Sequence, residues 1–401
     1  MSQAGDGPGT ADAASERATL RKAIDEADGR LIKLLSERRR LAEALGALKA
    51  GAAAQVRDET RERQVLERVV AAGEAEDLDA KFVESLFQLI IDESLRRQRA
   101  GLDARAQSQM LSEARVAYLG GPGSYSHFAA HAHFAGRYSG VEPVIKRDFA
   151  GIFTAVEAGQ ADYGFVPIEN TTTGGIVEVY DLMRDTKLKI AGEHHYKVEH
   201  CLIGKAHDIA AVRTVYGHPQ ALRQSQRFLN RHSELKVVPV SSSTRALERA
   251  LDEGAVSAAI AGPDAARLFG LNIIDEGASD HPQNYTRFVS LALDPTPASP
   301  LLPCKTSLVF TSSNDSGSLV TALEGFREQG VNMTKLESRP IAGRPWEQMF
   351  FLDIEGHQED EAVARALAKL AENSMTVRYF GSYGSDRLKP AALGGPQDAP
   401  G

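Results

Sequence analysis

An apolar side chain recurs at Leu20, Ile24, Ala27, Leu31, Leu34, Leu41, Leu45 and Leu48, in alternating steps of four and three; the one missing position, 38, holds arginine. Such a heptad seam predicts a long helix whose apolar edge must meet another helix. A helix of that length cannot bury its own seam, so dimerisation is the simplest answer. An arginine in the seam is costly unless an anion meets it. Lys49 lies eleven residues beyond Arg38, about three turns, and shares its face. Arg21 lies seventeen residues before Arg38 and points about 100° away, so any site that it serves belongs to a partner helix. No proline occurs between residues 15 and 110, and Ala, Leu, Glu and Arg dominate, which predicts an all-helical segment. Asp58, Arg61 and Glu62 share a face of the next helix by their i, i+3, i+4 spacing. A third helix, from Asp79 to about Arg99, carries Ser94 and Gln98 at i, i+4. Inward cations with a few neutral donors suit a small, multiply charged anion. The alternative is a coiled coil with surface ion pairs and one tolerated arginine.

The rest of the chain reads differently. Its 401 residues are enough for roughly two to four domains. With 42% hydrophobic and 25% charged residues the composition is that of globular proteins. The net charge of −8 gives no sign of a nucleic-acid partner. No apolar run is long enough for a membrane span. The first residues show neither the basic nor the apolar region of a secretory signal. Cys201 and Cys304 are the only cysteines, too few for a disulfide framework, and the expected setting is the cytoplasm. Residues 1–14 are expected as a disordered tail and 15–110 as the helical domain. Residues 115–293 alternate β-rich runs (VAYLG, DYGFVPI, TVYGH, LKVVPV, SAAIA) with helical runs, which is an α/β pattern. DPTPASPLLP, residues 294–303, reads as a linker. Residues 304–384 give strand, helix, strand, strand, helix, strand, the order of an α+β ferredoxin-like unit. Residues 385–401 are a Gly/Pro-rich tail, also expected to be disordered.

Three clusters in the α/β region fall where loops leave strands, the place where open α/β sheets bind ligands. The first is GSYSH, after a Gly-rich turn that lacks both nucleotide-binding fingerprints. The second is Glu169, Asn170, Thr171, Thr172 and Thr173, just past a buried strand. The third is His218 and Gln220 in GHPQ, while Thr286, Arg287 and Phe288 open a later strand. Each could be no more than turn and cap chemistry. His127, His131 and His133 share a predicted helix but lack the glutamate of a zinc motif, so they read as packing. His194, His195 and His200 have no partner that the spacing identifies. Trp346 reads as structural.

Residues 20–98 resemble the all-helical chorismate mutase domain, and the whole chain resembles the bacterial bifunctional chorismate mutase–prephenate dehydratase family, the P-proteins. GSYSH, VPIEN with its Thr-rich turn, GHPQ and TRF match the dehydratase motifs in order. Gly317-Ser318-Leu319-Val320 and Glu337-Ser338-Arg339-Pro340 resemble the two phenylalanine-binding motifs of an ACT regulatory domain. The family has Ala where Ser318 stands, and Gly-Pro-x-Gly where this chain has Gly120-Gly121-Pro122-Gly123. The resemblance implies three parts: an intertwined helical dimer, a two-lobed α/β dehydratase like a periplasmic binding protein, and a ferredoxin-like ACT domain.

It also implies the chemistry and its residues. Chorismate rearranges to prephenate in one pericyclic step that needs no cofactor or metal, only a held conformer and donors for the breaking ether oxygen. Arg21 and Arg38 would clamp carboxylates, Lys49 and Gln98 would donate to the ether oxygen, and Asp58, Arg61, Glu62 and Ser94 would complete the site. Prephenate then loses carbon dioxide and its ring hydroxyl to give phenylpyruvate. Thr286 would donate to the leaving hydroxyl, with Glu169 or His218 as proton sources. Ser124, Asn170, Thr172 and Gln220 would anchor the substrate, and Arg287 would meet a carboxylate or form a structural ion pair. L-Phenylalanine would bind the ACT motifs and inhibit. The assembly implied is a homodimer or larger. Two rivals stand beside this reading: a non-catalytic amino-acid sensor that keeps the folds, and a mutase joined to a dehydrogenase, which would need a dinucleotide fingerprint.

Overall fold

The computed structural model describes residues 9–49, 59–87, 89–91, 94, 112–135, 137–296, 298, 303–341, 343–344 and 347–386. The chain divides into two compact units, Met1–Leu102 with Pro390–Gly401, and Asp103–Lys389.

The first unit is helical. α1 (Gly9–Lys49) is 41 residues long and α2 (Glu59–Ala75) is 17. A third helix, α3, covers residues 80–87, 89–91 and 94. Residues 9–14, expected in the disordered tail, belong to α1, because the Ala-rich TADAA run propagates a helix already nucleated. Leu66 on α2 and Val83 and Ile91 on α3 are buried. Gly73 makes that packing possible, since a Cβ there would lie 2.6 Å from Val83 Cγ2. The seam of α1 meets no such cover: Leu20, Ile24, Leu31, Leu34 and Leu41 are 50–66% exposed.

The second unit is built from three sheets. Its chain order begins β1 (Ala114–Leu119), α4 (Tyr125–Phe134), β2 (Val141–Lys146), α5 (Phe149–Glu157), β3 (Tyr163–Asn170), β4 (Gly174–Gly175), α6 (Val177–Asp185) and β5 (Lys189–Lys197). A second lobe follows: β6 (Cys201–Gly204), β7 (Thr214–Gly217), α7 (Pro219–Arg223), α8 (Gln226–Arg231), β8 (Lys236–Pro239), α9 (Ser243–Glu253), β9 (Ser257–Ala261), α10 (Pro263–Phe269) and β10 (Asn272–Asp275). The chain then returns to the first sheet as β11 (Tyr285–Ala292). The first sheet has the order β2-β1-β3-β11-β5 with β4 on β3, and the second β10-β6-β9-β7-β8. The strands expected from VAYLG, DYGFVPI, TVYGH, LKVVPV and SAAIA are β1, β3, β7, β8 and β9.

The last segment supplies β12 (Cys304–Thr311), α11 (Ser318–Glu328), β13 (Met333–Pro340), β14 (Gln348–Glu355), α12 (Glu361–Glu372) and β15 (Thr376–Gly384), with sheet order β13-β14-β12-β15. One face of this sheet is covered by α11 and α12 through Phe310, Phe326, Leu352 and Leu370. Its other face does not stand free behind the linker. Val309, Met349, Phe351, Phe380 and Tyr383 join Val179, Tyr180, Met183, Val289 and Leu291 of the first lobe in one core. Each large side chain so buried contributes about 1.5–3 kcal/mol, which binds the two parts firmly together.

β11 positions the chemistry. It returns from the second lobe and inserts antiparallel between β3 and β5. The register sets Thr286 opposite Asn170 and Arg287 opposite Glu169. Successive strand residues face opposite sides, so Thr286 and Arg287 serve different surroundings.

Candidate active site

In the helical unit the structure brings two of the expected residues together. Arg38 Nη1 donates to Ser94 Oγ at 2.9 Å, and Ser94 Oγ donates to the Ile90 carbonyl at 2.8 Å. Ser94 thus spends its proton on the backbone and orients Arg38, rather than presenting a donor of its own. Arg38 is half-buried, and that burial lowers its pKa. Arg21 is exposed on α1. Lys49 ends α1, and Arg61 and Glu62 lie on α2. Their side chains, and Asp58 and Gln98 altogether, fall outside the described residues, as does Trp346.

Between the lobes of the second unit lies a cleft of about 160 Å³, whose lining includes Tyr125, Asn170, His200, His218, Gln220, Gln224, Thr286 and Phe288. Ser124 is the N-cap of α4, its Oγ accepting from the His127 N–H at 3.2 Å. Just before it, Gly123 has φ +84°, and a Cβ there would lie 2.7 Å from Phe269 of the second lobe. The departure from the family's glycine pattern therefore keeps glycine where it is required. Across the cleft Thr244 Oγ1 donates to the Pro122 carbonyl at 2.9 Å, and Gln224 Nε2 to Thr172 Oγ1 at 2.8 Å. His218 caps α7, its Nδ1 accepting from the Gln220 N–H at 3.3 Å.

Asn170 is the best-held group of the cleft. Its Oδ1 accepts the backbone N–H of Thr172 at 2.9 Å and of Thr173 at 3.1 Å, and the Thr172 hydroxyl at 2.6 Å. Its Nδ2 shares two hydrogens among Asn284 Oδ1 at 2.7 Å, the Tyr285 carbonyl at 3.1 Å and Thr286 Oγ1 at 2.9 Å. Thr286 is buried, 8% exposed, at the cleft.

Two expectations need correction. Arg287 does not reach the cleft. It is 3% exposed on the opposite face of β11 and bonds Glu193 at 2.7 Å, Glu169 at 3.1 Å, Asp353 at 2.5 Å and the Tyr383 hydroxyl at 2.8 Å. Lys305 pairs with Glu193 at 3.0 Å and Lys335 with Glu169 at 2.6 Å. Burial alone would lower the Arg287 pKa; Asp353, Tyr383, Glu193 and Glu169 together raise it. The ion-pair alternative is the one realised, because strand alternation turns Arg287 away from Thr286. Glu169 is no proton source either. Burial would raise its pKa, but Arg287 and then Lys335 outweigh this and hold it down to about 2. His218 is a weak source for a different reason: burial, then Arg223, lowers its pKa.

The third sheet carries its own cavity, at the start of α11, lined by Ser312–Asp315, Gly317–Val320, Glu347, Gln348 and Phe350. Gly317 caps that helix with φ 86°, and Ser318 Oγ donates to the Ser313 carbonyl. Glu337, Ser338, Arg339 and Pro340 do not line it. They lie on β13, at the sheet's edge, where Pro340 stands opposite Gln348. Arg339 reaches instead to Asp181 of α6 at 3.2 Å.

Sequence reasoning gave Tyr125, His200 and Gln224 no place in the site. Gln224 stands four residues after Gln220, one helical turn on, which is a usable signal. Nothing local marks His200, since its partners come from α4 and the end of α7. His127, from the histidine group, meets the Tyr118 hydroxyl through Nδ1 at 3.0 Å. Among the described residues no three His, Cys, Asp or Glu are grouped to hold a metal, and no helix is long and apolar enough to cross a membrane.

Comparison with known proteins covers most of the chain. Residues 20–99 match chorismate mutase type II, residues 116–296 prephenate dehydratase, and residues 306–372 the ACT domain. A bifunctional chorismate mutase/prephenate dehydratase of Escherichia coli K12 is 40% identical over 373 residues, 92% of this chain and 97% of that protein. The structure of a prephenate dehydratase from Arthrobacter aurescens in complex with L-Phe matches with a TM-score of 0.61 at 27% identity, covering 70% of this chain and 93% of that one. A protein described as a quorum quenching acylase, GqqA, matches with the same TM-score at 32% identity, over 68% of this chain and 98% of its own.

Proposed function

The chain belongs to the bifunctional chorismate mutase/prephenate dehydratase family, and on that premise we propose how its parts divide the work. It is an enzyme of phenylalanine biosynthesis that rearranges chorismate to prephenate and converts prephenate to phenylpyruvate, under feedback by L-phenylalanine.

In the helical unit Arg38, held by Ser94, clamps a substrate carboxylate. Lys49 and Gln98 donate to the ether oxygen as its bond breaks, and Asp58, Arg61 and Glu62 orient the substrate and the cations. Arg21 is exposed on α1 and serves the site of a second copy. The uncovered seam of Leu20, Ile24, Leu31, Leu34 and Leu41 supports an intertwined homodimer, because so large an apolar stripe is not left in water. Leu31→Glu should abolish mutase activity and keep dehydratase activity in product assays with each substrate.

In the cleft the ring carboxylate of prephenate leaves as carbon dioxide, its bonding electrons enter the ring, and the C–O bond opposite breaks. The departing hydroxide takes a proton and leaves as water. Thr286 donates to that oxygen, while Ser124, Asn170, Thr172, His218 and Gln220 shape and anchor the pyruvyl end. The observation that carries this reading is the Asn170–Thr286 bond. Asn170 donates to Thr286 Oγ1, and among the described residues no group accepts the threonine's own proton.

L-Phenylalanine binds at the start of α11, where free N–H groups meet its carboxylate. The Glu337–Pro340 edge of β13 completes that site from a second copy, giving a homodimer or larger assembly. The βαββαβ order and antiparallel sheet support the ferredoxin-like description, and the two lobes around a cleft support likeness to a periplasmic binding protein. The Arg287 cluster joins the ACT sheet to the strand that carries Thr286, so a shift of that sheet is felt at the donor; the coupling is reciprocal. The enzyme works in the cytoplasm, without cofactor or metal. The test is to supply chorismate, then prephenate, and follow phenylpyruvate with and without phenylalanine. Absence of product from both substrates refutes the reading.

A further inference from the structure

Thr286 is a weak acid, and its use as a donor raises the question of what aims its proton. The answer lies in a run of hydrogen bonds through the cleft whose direction can be deduced. Two backbone N–H groups, of Thr172 and Thr173, point at one end of the Asn170 amide, and the backbone carbonyl of Tyr285 at the other. Oxygen and nitrogen are therefore assigned without ambiguity. Thr172 Oγ1 lies 2.6 Å from Asn170 Oδ1, which only accepts, so Thr172 gives its proton there. Thr172 Oγ1 must then accept from Gln224, which presents Nε2 at 2.8 Å. That turns Gln224 Oε1 toward His200 Nε2, 2.9 Å away, so this nitrogen carries hydrogen. The imidazole is 1% exposed, and burial lowers its pKa, which keeps it neutral. Its Nδ1 is then bare and faces the Tyr125 hydroxyl at 2.7 Å, whose single proton it shares with the Glu199 carbonyl at 2.6 Å.

We propose that His200 is a positioning residue of the dehydratase, the head of a one-way series His200 to Gln224 to Thr172 to Asn170 to Thr286 that turns the Thr286 proton into the cleft. The inference rests on the reading of Thr286 as the donor. Each donor in such a series strengthens the next, so Thr286 Oγ1, already accepting from Asn170, becomes a better donor than an isolated threonine. His200 itself hands no proton to substrate, because both ring nitrogens are engaged by protein. Gln224 Oε1 sets its tautomer. The series also crosses between lobes at Gln224–Thr172, so it is complete only when the two lobes stand as they do here.

The full-length enzyme tests this in two ways. In ¹⁵N-histidine spectra His200 should show the Nε2–H tautomer; an Nδ1–H tautomer overturns the proposal. In steady-state assays His200→Phe should lower kcat for prephenate by ~10–100-fold, with KM within about threefold. His200→Gln restores an N–H toward Gln224 and should recover most of the loss. Mutase turnover and the thermal unfolding of the second unit serve as controls. An unchanged kcat, a pure KM effect, or a folded His200→Gln no better than Phe overturns the proposal. If His200→Phe does not fold, the spectrum of the wild-type enzyme decides, an Nδ1–H tautomer overturning the proposal. Thr286→Val separates the two claims. If it stays active, the donor reading falls with the series; if it is inactive while His200→Phe is not, only the series falls.

Discussion

On the proposed reading the helical unit and the cleft take the same kind of molecule, a small dicarboxylate, yet they differ in electrostatics. The helical unit offers a cation, Arg38, half-buried and oriented by Ser94. The cleft is lined by neutral donors and acceptors: Tyr125, Asn170, His200, His218, Gln220, Gln224 and Thr286. Arg287, next to Thr286 in the chain, is turned to the other face of β11 and neutralised by three carboxylates. The reactions explain the contrast. A pericyclic rearrangement keeps both carboxylates, and holding them in place lowers its barrier. A decarboxylation must release one of them, and a cation on that group would stabilise the ground state that has to be left.

The strongest break of this contrast is a crossed pair. Thr286→Val should cut dehydratase kcat by at least ~10²-fold and spare the mutase, whereas Arg38→Ala should do the reverse on a similar scale. Product assays with each substrate check both, and loss of both activities in a folded variant would erase the separation. Arg287→Met comes next. Removing one partner of a buried ion cluster costs about 3–5 kcal/mol, so the second unit should lose stability to urea and its response to phenylalanine. A stable variant with only a raised KM for prephenate would return Arg287 to the substrate site.

The cluster should also make the second unit acid-sensitive. Glu169 is held down to about 2 from an ordinary 4.5, so the stability that it contributes is fully present above 4.5 and is lost as pH falls toward 2. Urea unfolding followed by circular dichroism across that range should show the decline, and Glu169→Gln should flatten it while lowering stability at neutral pH. The smallest effect is expected at the regulatory cavity. Ser318→Ala removes one loop hydrogen bond and should weaken phenylalanine inhibition by about two- to tenfold.

How much of this was legible beforehand differs between the same two regions. The seam, the α/β alternation and the βαββαβ order follow from local periodicity, and the strands appeared where the β-rich runs stood. In the helices Arg38 stood out because a charge in an apolar seam is an anomaly visible in one dimension. Thr286 and Asn170 were found as residues of motifs, but their bond was not, since it depends on a register across 116 residues of chain. His200 was named and left without a partner for the same reason.

The amino-acid sequence alone determined the helical seam with its arginine, the three-part order of the chain and the motifs that carry the family. The tertiary structure decided which way each side of β11 faces. Alternation guarantees that Thr286 and Arg287 point apart, but only the insertion of β11 between β3 and β5, with the ACT sheet packed behind, makes one face a cleft and the other a buried ion cluster. Direction along a strand is local; what lies on either side of it depends on the folding of the whole unit.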